Sequence, residues 1–574
     1  MKATLGSEVG YGVRFDNFFK PNFTRIKFVT DGVLIREMML DPLLSGYSVI
    51  MVDEVHERGV YTDLLLGLVK QIMKQRSELR LLVASATLDA EEIAEFFNTS
   101  KSNEPPSSAI LSVEGRMHPV DVFYLQSPVP DYVIGVVDAI SKIHQSEPSG
   151  DILAFLTGQD EVDRVVDIIK EKATSGELTS KYLLKVFPLY SALPYELQAN
   201  VFQPVRSHVR KVIVATNVAE TSVTIPNIVY VVDCGFAKFK AYDPLNGVET
   251  LVVAPISRAS AIQRAGRAGR VKAGKVFRLY TENSYRSELP ARTPPAMQRT
   301  DLAQICLQLK ALGVDNIARF DFLSPPTPDA LIRSLDLLYS LGAIDDTCQL
   351  TSPLGEQMVE LPIDPKLSKI LIVSGEFGCS EEILIVSSML QIENVFFSPP
   401  NSRKEALRKK MQFASQEGDH LSLINLFKAF EKYGSPNWCS RNFINRPAML
   451  RASEIRKKLL KLLSRFKIPL VACKNNHVVI LRNILTGYFP NAARLNADGT
   501  YETVRGKQTL HIHPSSVLFD EKPPLWIMFH EIVLTDRSYA RDVSCIEYEW
   551  LPELAPHFYE YNKFIKVDNK DLKI

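Results

Sequence analysis

Gln263-Arg264-Ala265-Gly266-Arg267-Ala268-Gly269-Arg270 concentrates more reactive chemistry than any other segment of this chain. Two arginines three residues apart in a glycine-containing motif are costly unless an anion faces them, because guanidinium forks grip phosphate oxygens in pairs. Arg267 and Arg270 are read as forks that stabilise charge on a transferring phosphoryl group, and Gln263 as the group that places a water or a phosphate. The motif reads as a helix start. Asp53-Glu54, after the apolar run 47–52, offers the complementary acids: Asp53 to hold Mg2+ and Glu54 to orient or deprotonate a water. Taken alone, an acidic pair also fits a plain strand end, and the small polar triplet Ser85-Ala86-Thr87 is less specific still. No G-x-x-x-x-G-K-[ST] phosphate loop occurs: Gly274-Lys275 and Gly506-Lys507 are followed by Val276 and Gln508, so neither pair supplies the metal-binding hydroxyl.

The elements that must position these groups share one grammar, an apolar run, a polar motif at its end, then an amphipathic helix. Runs 47–52 and 81–84 end at Asp53-Glu54-Val55-His56 and Ser85-Ala86-Thr87, while runs 151–156 and 211–215 end at Thr157-Gly158-Gln159 and Thr216-Asn217. Such runs predict buried parallel strands in α/β domains, with ligands gathered at the strands' carboxyl ends. Residues 115–150 form the junction between the two α/β units. After Tyr280 the texture turns helical, with helices over 297–312 and 329–341 around the rigid Ser324-Pro325-Pro326-Thr327-Pro328 break. Helical, increasingly basic sequence follows from 365 to 466, and short strand-like runs from 478 to 566 suggest a small barrel.

The length of 574 residues, 46% hydrophobic and 23% charged, fits several globular domains. No signal peptide or membrane-spanning run is read, which predicts a soluble intracellular protein. Seven scattered cysteines without a C-x-x-C pair argue against disulfides and zinc, and His511 with His513 lacks a third ligand. The net charge of +1 hides a block over 401–482 with eighteen Lys/Arg against five Asp/Glu. Charge alone leaves two readings open there, a phosphate-tracking surface or solvated helix faces.

In this order the motifs resemble the DEAH/RHA family of superfamily-two RNA helicases along the whole chain. Thr30-Asp31-Gly32 is similar to motif Ib, Asp53-Glu54-Val55-His56 to motif II with Val for the usual Ala, and Ser85-Ala86-Thr87 to motif III. Residues 155–159, 215–222 and 263–270 are similar to motifs IV, V and VI. The resemblance implies two RecA-like parallel-sheet domains, the first incomplete, over 1–114 and 115–290. A winged-helix domain over 291–360, a helical ratchet domain over 361–470 and an OB-fold barrel over 471–574 would follow. It implies an ATP- and Mg2+-dependent helicase moving 3′ to 5′ on single-stranded RNA. Among its roles, His56 would link motif II to the second RecA-like domain, and Phe202 would stack on adenine. Ser85, Thr87 and Thr221 would face nucleotide, while Thr30, Asp31, Thr157, Gln159, Thr216 and Asn217 would face RNA. The resemblance is greatest to spliceosome-associated members, which implies a nuclear setting, spliceosomal proteins or a G-patch-type activator as partners, and no membrane.

In that family the phosphate loop precedes the stretch that opens here at Leu5-Gly6-Ser7. The expectation is an N-terminally truncated first domain with unpaired strand edges, exposed apolar surface and negligible ATP turnover if Met1 is the start. Three functions stay open: an active helicase, a catalytically inactive RNA- or protein-binding product, and a DNA helicase, which the resemblance disfavours.

Overall fold

The computed structural model describes the chain apart from residues 1–2, 87–89, 101–105, 114–117, 192, 194, 207, 221–223, 244–247, 393–394, 398–401, 475, 535–536 and 560–574. Its contacts divide it into two units, Met1–Ser85 with Ala241–Thr250 and Pro295–Ile574, and Ala86–Lys240 with Leu251–Pro294.

In the first unit, β1 (Val9–Val13), β2 (Asp16–Phe18) and β3 (Ile26–Val29) form a sheet in the order β2-β1-β3. A separate parallel pair, β4 (Val49–Val52) and β5 (Arg80–Val83), sets Val52 opposite Val83. Apolar runs of this kind predict strands covered on both faces, yet here burial alternates. Ile50 and Val52 are buried, whereas Met51 is 63% exposed and Phe28 of β3 is 66% exposed. Successive side chains of a strand point to opposite faces, so cover on one side alone produces this pattern.

In the second unit, β6 (Val120–Leu125), β7 (Asp151–Phe155), β8 (Leu183–Leu189), β9 (Val209–Ala215) and β10 (Ile228–Asp233) precede a two-stranded sheet of β11 (Phe236–Asp243) and β12 (Val248–Pro255). With β13 (Gly274–Thr281) they complete a six-stranded parallel sheet in the order β6-β13-β10-β7-β9-β8. Residues 115–150 are therefore more than a junction: β6 pairs with β13 and the helix Tyr132–Ser146 packs into the core. Every residue of β7 and β10 is buried. Ile152 and Ala154 enter one apolar cluster with the helices Tyr132–Ser146 and Gln159–Thr174, and Leu153 and Phe155 enter another. Helices on both faces make the continuous apolar runs necessary.

The first unit continues in helices Ala303–Ala311, Pro328–Ser340 and Leu354–Glu360, then Pro365–Phe377, Ser380–Met389, Asp419–Tyr433 and Arg446–Arg465. Strands β14 (Ala492–Leu495), β15 (Tyr501–Thr503), β16 (Thr509–Ile512), β17 (Trp526–Leu534) and β18 (Ser538–Cys545) close a barrel in the order β14-β15-β16-β18-β17. The α/β class, helical middle and terminal barrel are thus as expected. One stretch differs: strand-like texture is expected from 478 onward, yet the barrel strands begin at Ala492 and His477–Tyr488 is a helix. Asn476 caps it through the Val479 amide, and the helix sits so close to its neighbour that a Cβ on Gly487 would fall 2.3 Å from the Lys366 carbonyl. Packing has overridden β-branched propensity.

Three cations of the basic block are engaged in ion pairs. Arg456 lies 3.6 Å from both Glu381 and Glu431, Lys428 lies 3.4 Å from Glu382, and Arg465 pairs with Glu360.

Candidate functional site

The candidate groups fall into an acidic cluster in the first unit and an arginine cluster in the second. At the carboxyl ends of β4 and β5 the two strands are stitched together, Ala84 N–H donating to Val52 O at 2.9 Å and Val55 N–H to Ala84 O at 3.1 Å. Asp53 and Glu54 stand on this edge with both side chains exposed, and Ser85 is half-buried at the end of β5. Asp53 Oδ1 accepts the Glu54 amide at 2.9 Å. Glu54 adopts a left-handed conformation, φ 52°, which turns the chain sharply into a short 3-10 turn, Val55–Glu57. That turn returns His56 Nε2 to 3.4 Å from Glu54 Oε2, with the His56 side chain buried.

Arg58 fixes the far side of the turn. Also left-handed at φ 51°, it forks onto the fully buried Asp63 through Nε–Oδ1 and Nη2–Oδ2, each 3.0 Å, and reaches Ser324 Oγ at 2.7 Å. Its carbonyl accepts the Ala296 amide at 3.0 Å. Thr30 is exposed at the head of the helix Asp31–Met38, and Asp31 accepts the Thr62 hydroxyl at 2.5 Å. Thr87 lies outside the described residues.

In the second unit the arginine motif is at a helix end rather than a helix start. Ser257 caps the helix Arg258–Gly266 at its beginning, Gln263 rides on its last turn, and Arg267 forms its C-cap, where a cation suits the helix dipole. Arg264, between them, is fully buried. Its Nε meets Glu220 Oε2 at 2.9 Å, its Nη1 meets Asp233 Oδ1 at 2.7 Å, and its guanidinium lies 4.7 Å from the Phe155 ring centre. Burial opposes that charge, but Asp233 and Glu220 outweigh it and hold the arginine above its ordinary pKa. Asp233 Oδ2 also accepts the Tyr280 hydroxyl at 3.0 Å, and burial, then Asp233, push the Tyr280 phenol well up.

Arg267, buried, donates to the Glu220 carbonyl, and the exposed Arg270 donates to Thr224 Oγ1 at 2.7 Å. Segment 216–224, after β9, is thus tied to the arginine helix at three points. Thr216 is half-buried and Asn217 exposed there, while Thr221 lies outside the described residues. Leu156 N–H donates to Ala215 O at 2.8 Å, which keeps the end of β7 against the end of β9. Thr157 is buried, its hydroxyl donating to Glu161 Oε2 at 2.7 Å, and Gln159 is exposed at the start of the next helix. Phe202, in the turn before β9, is 39% exposed.

The sequence reading singled out neither Arg264, Glu220, Asp233 and Tyr280 nor Arg58. A signal for Asp233 existed: an acid ending a fully apolar strand repeats the pattern of Asp53 after β4.

Residues 135–272 match the helicase conserved C-terminal domain, 334–363 and 364–423 the winged-helix and ratchet-like parts of the helicase associated domain (HA2), and 480–559 the oligonucleotide/oligosaccharide-binding (OB) fold. Among curated relatives, "Probable ATP-dependent RNA helicase DHX35" of Homo sapiens is 51% identical over 576 residues, covering 100% of this chain and 82% of the relative. The protein of that name from Pongo abelii is 52% identical over 97% of this chain and 78% of its own length. The Caenorhabditis elegans "Probable ATP-dependent RNA helicase DHX35 homolog" is 47% identical over 97% of this chain and 76% of its own length. The chain belongs to the DEAH-box family of ATP-dependent RNA helicases.

Proposed function

We propose that this chain couples ATP hydrolysis to 3′–5′ movement along single-stranded RNA. The buried frame of Arg264, Glu220 and Asp233, which holds Arg267 and Arg270 on the segment after β9, carries the proposal. Its working parts are the domains 1–114, 115–290, 291–360, 361–470 and 471–574.

Asp53 presents an exposed carboxylate with one oxygen engaged by a backbone amide, a hard oxygen donor of the kind Mg2+ takes when phosphates and waters complete its shell. Bound Mg2+ would neutralise phosphate charge and acidify a coordinated water. Glu54 orients and deprotonates the attacking water, and His56 braces Glu54 from its buried side. Arg267 and Arg270 place guanidinium charge where the transferring phosphoryl group becomes most negative, with Gln263 beside them. Phe202, with Ser85, Thr87 and Thr221, contacts the nucleotide. Thr30, Asp31, Thr157, Gln159, Thr216 and Asn217 contact the RNA. The process is pre-mRNA splicing or remodelling of RNA–protein particles in the nucleus, with spliceosomal proteins or a G-patch-type activator as partners.

A second reading, an RNA- or protein-binding chain without turnover, draws on the absence of a phosphate-loop sequence from its 574 residues. Unwinding of a duplex with a 3′ single-stranded RNA tail, with ATP and with a non-hydrolysable analogue, separates the two. ATP-dependent unwinding supports the first reading. RNA binding with neither unwinding nor turnover supports the second.

A further inference from the structure

Lys211, the third residue of β9, is only 2% exposed and has no part in the chemistry above. Its backbone amide donates to Asp151 Oδ1 at 2.9 Å. Its ammonium donates to the carbonyls of Val201 and Gln203, each at 2.8 Å. Those carbonyls flank Phe202.

Burying an ammonium is unfavourable, and a leucine or methionine would fill the same space without that cost. Burial pulls the Lys211 pKa down while Asp151 opposes the shift. What the charge accomplishes is local. The turn holding Phe202 is otherwise closed by long backbone bonds, Val201 N to Gln198 O and Phe202 N to Ala199 O at 3.2 Å, and Gln203 N to Asn200 O at 3.3 Å. Charge-assisted bonds of 2.8 Å to both neighbours of one residue are stronger and fix its backbone direction. Val201 is fully buried, whereas its neighbour Phe202 is 39% exposed. An aromatic ring held outward over a buried anchor is a stacking platform.

We infer that Lys211 is a positioning residue, which pins the turn on either side of Phe202 so that its ring stacks on the base of the bound nucleotide. The inference rests on the nucleotide-contacting reading of Phe202 given above.

The test uses the full chain and its K211M, K211R and F202A variants, with two readouts. Amide hydrogen exchange over 198–206 reports the turn, and calorimetric binding of ADP and UDP reports the platform. K211M is expected to speed exchange over 198–206 and to weaken ADP by about tenfold, the scale of one lost base stack, with loss of preference for ADP over UDP. F202A should match it in binding without faster exchange, and K211R should restore both readouts. Unchanged exchange in K211M overturns the inference whatever ADP does, and so does unchanged ADP affinity and base preference in K211M when F202A weakens them. If F202A leaves ADP binding unaltered, or the unmodified chain binds no ADP, the reading of Phe202 fails, while faster exchange in K211M still upholds the lysine's hold on the turn. Should K211M not fold, K211Q takes its place: faster exchange with weaker ADP binding is expected again, and unchanged exchange again overturns the inference.

Discussion

The arginine-bearing sheet and the acid-bearing strand pair are built from the same strand-then-motif grammar, yet they treat their reactive groups in opposite ways. In the second unit β7 and β10 are buried throughout, and Arg264, Glu220 and Asp233 form an ion-pair frame out of water. Such networks fix geometry when every member is satisfied. In the first unit β4 is covered on one face, and Asp53 and Glu54 stand in solvent on a strained left-handed turn that Arg58 clamps. Arg267 and Arg270 are therefore joined to a frame fixed out of water, whereas Asp53 and Glu54 remain open to solvent.

The second unit is most vulnerable at Arg264. Arg264→Ala strands two buried carboxylates, and about 4 kcal/mol should be lost from the second unit, read from hydrogen exchange of the β7 and β9 amides. A loss below about 1 kcal/mol would mean that the frame is not a constraint. Arg58→Ala strands only Asp63 and should cost about 3 kcal/mol, with faster exchange at 54–58 and no change in β7.

A pH effect of intermediate size belongs to the second unit. His144 is buried, and burial lowers its pKa to about 4, with Arg210 assisting. The unfolded chain, with an ordinary imidazole near pH 6.5, binds the proton first, so stability is full above neutrality and falls as pH drops from about 7 toward 4. About 1–2 kcal/mol should be lost between about pH 7.5 and pH 5, and His144→Asn should flatten that slope. The two sheets should also differ in how they tolerate a polar side chain. Met51→Gln on the exposed face of β4 should change stability by less than about 0.5 kcal/mol, while Val231→Gln in β10 should be severely destabilising. Urea midpoints for the pair check both.

Much of this architecture was legible in the residues. The runs 47–52, 151–156 and 211–215 fall on the strands Val49–Val52, Asp151–Phe155 and Val209–Ala215, their polar ends are where the candidate groups sit, and the short terminal strands close a barrel. Three things were not legible, each because a residue outside the motif itself decides them. The helix His477–Tyr488 is set by close packing at Gly487, against its local propensity. The arginine motif ends a helix because Ser257 caps that helix two turns earlier. The roles of Arg264 and Arg58 depend on Asp233, Glu220, Asp63 and Ser324, which lie 31, 44, 5 and 266 residues away.

The decisive measurement is RNA-stimulated ATP turnover by the full chain beside its E54Q and R267A variants. Turnover should rise with single-stranded RNA and fall by about a hundredfold or more in each variant, as loss of a water-activating group or a phosphate fork should produce. Turnover that survives both substitutions, or RNA binding with no turnover at all, would contradict the proposed coupling of ATP hydrolysis to RNA.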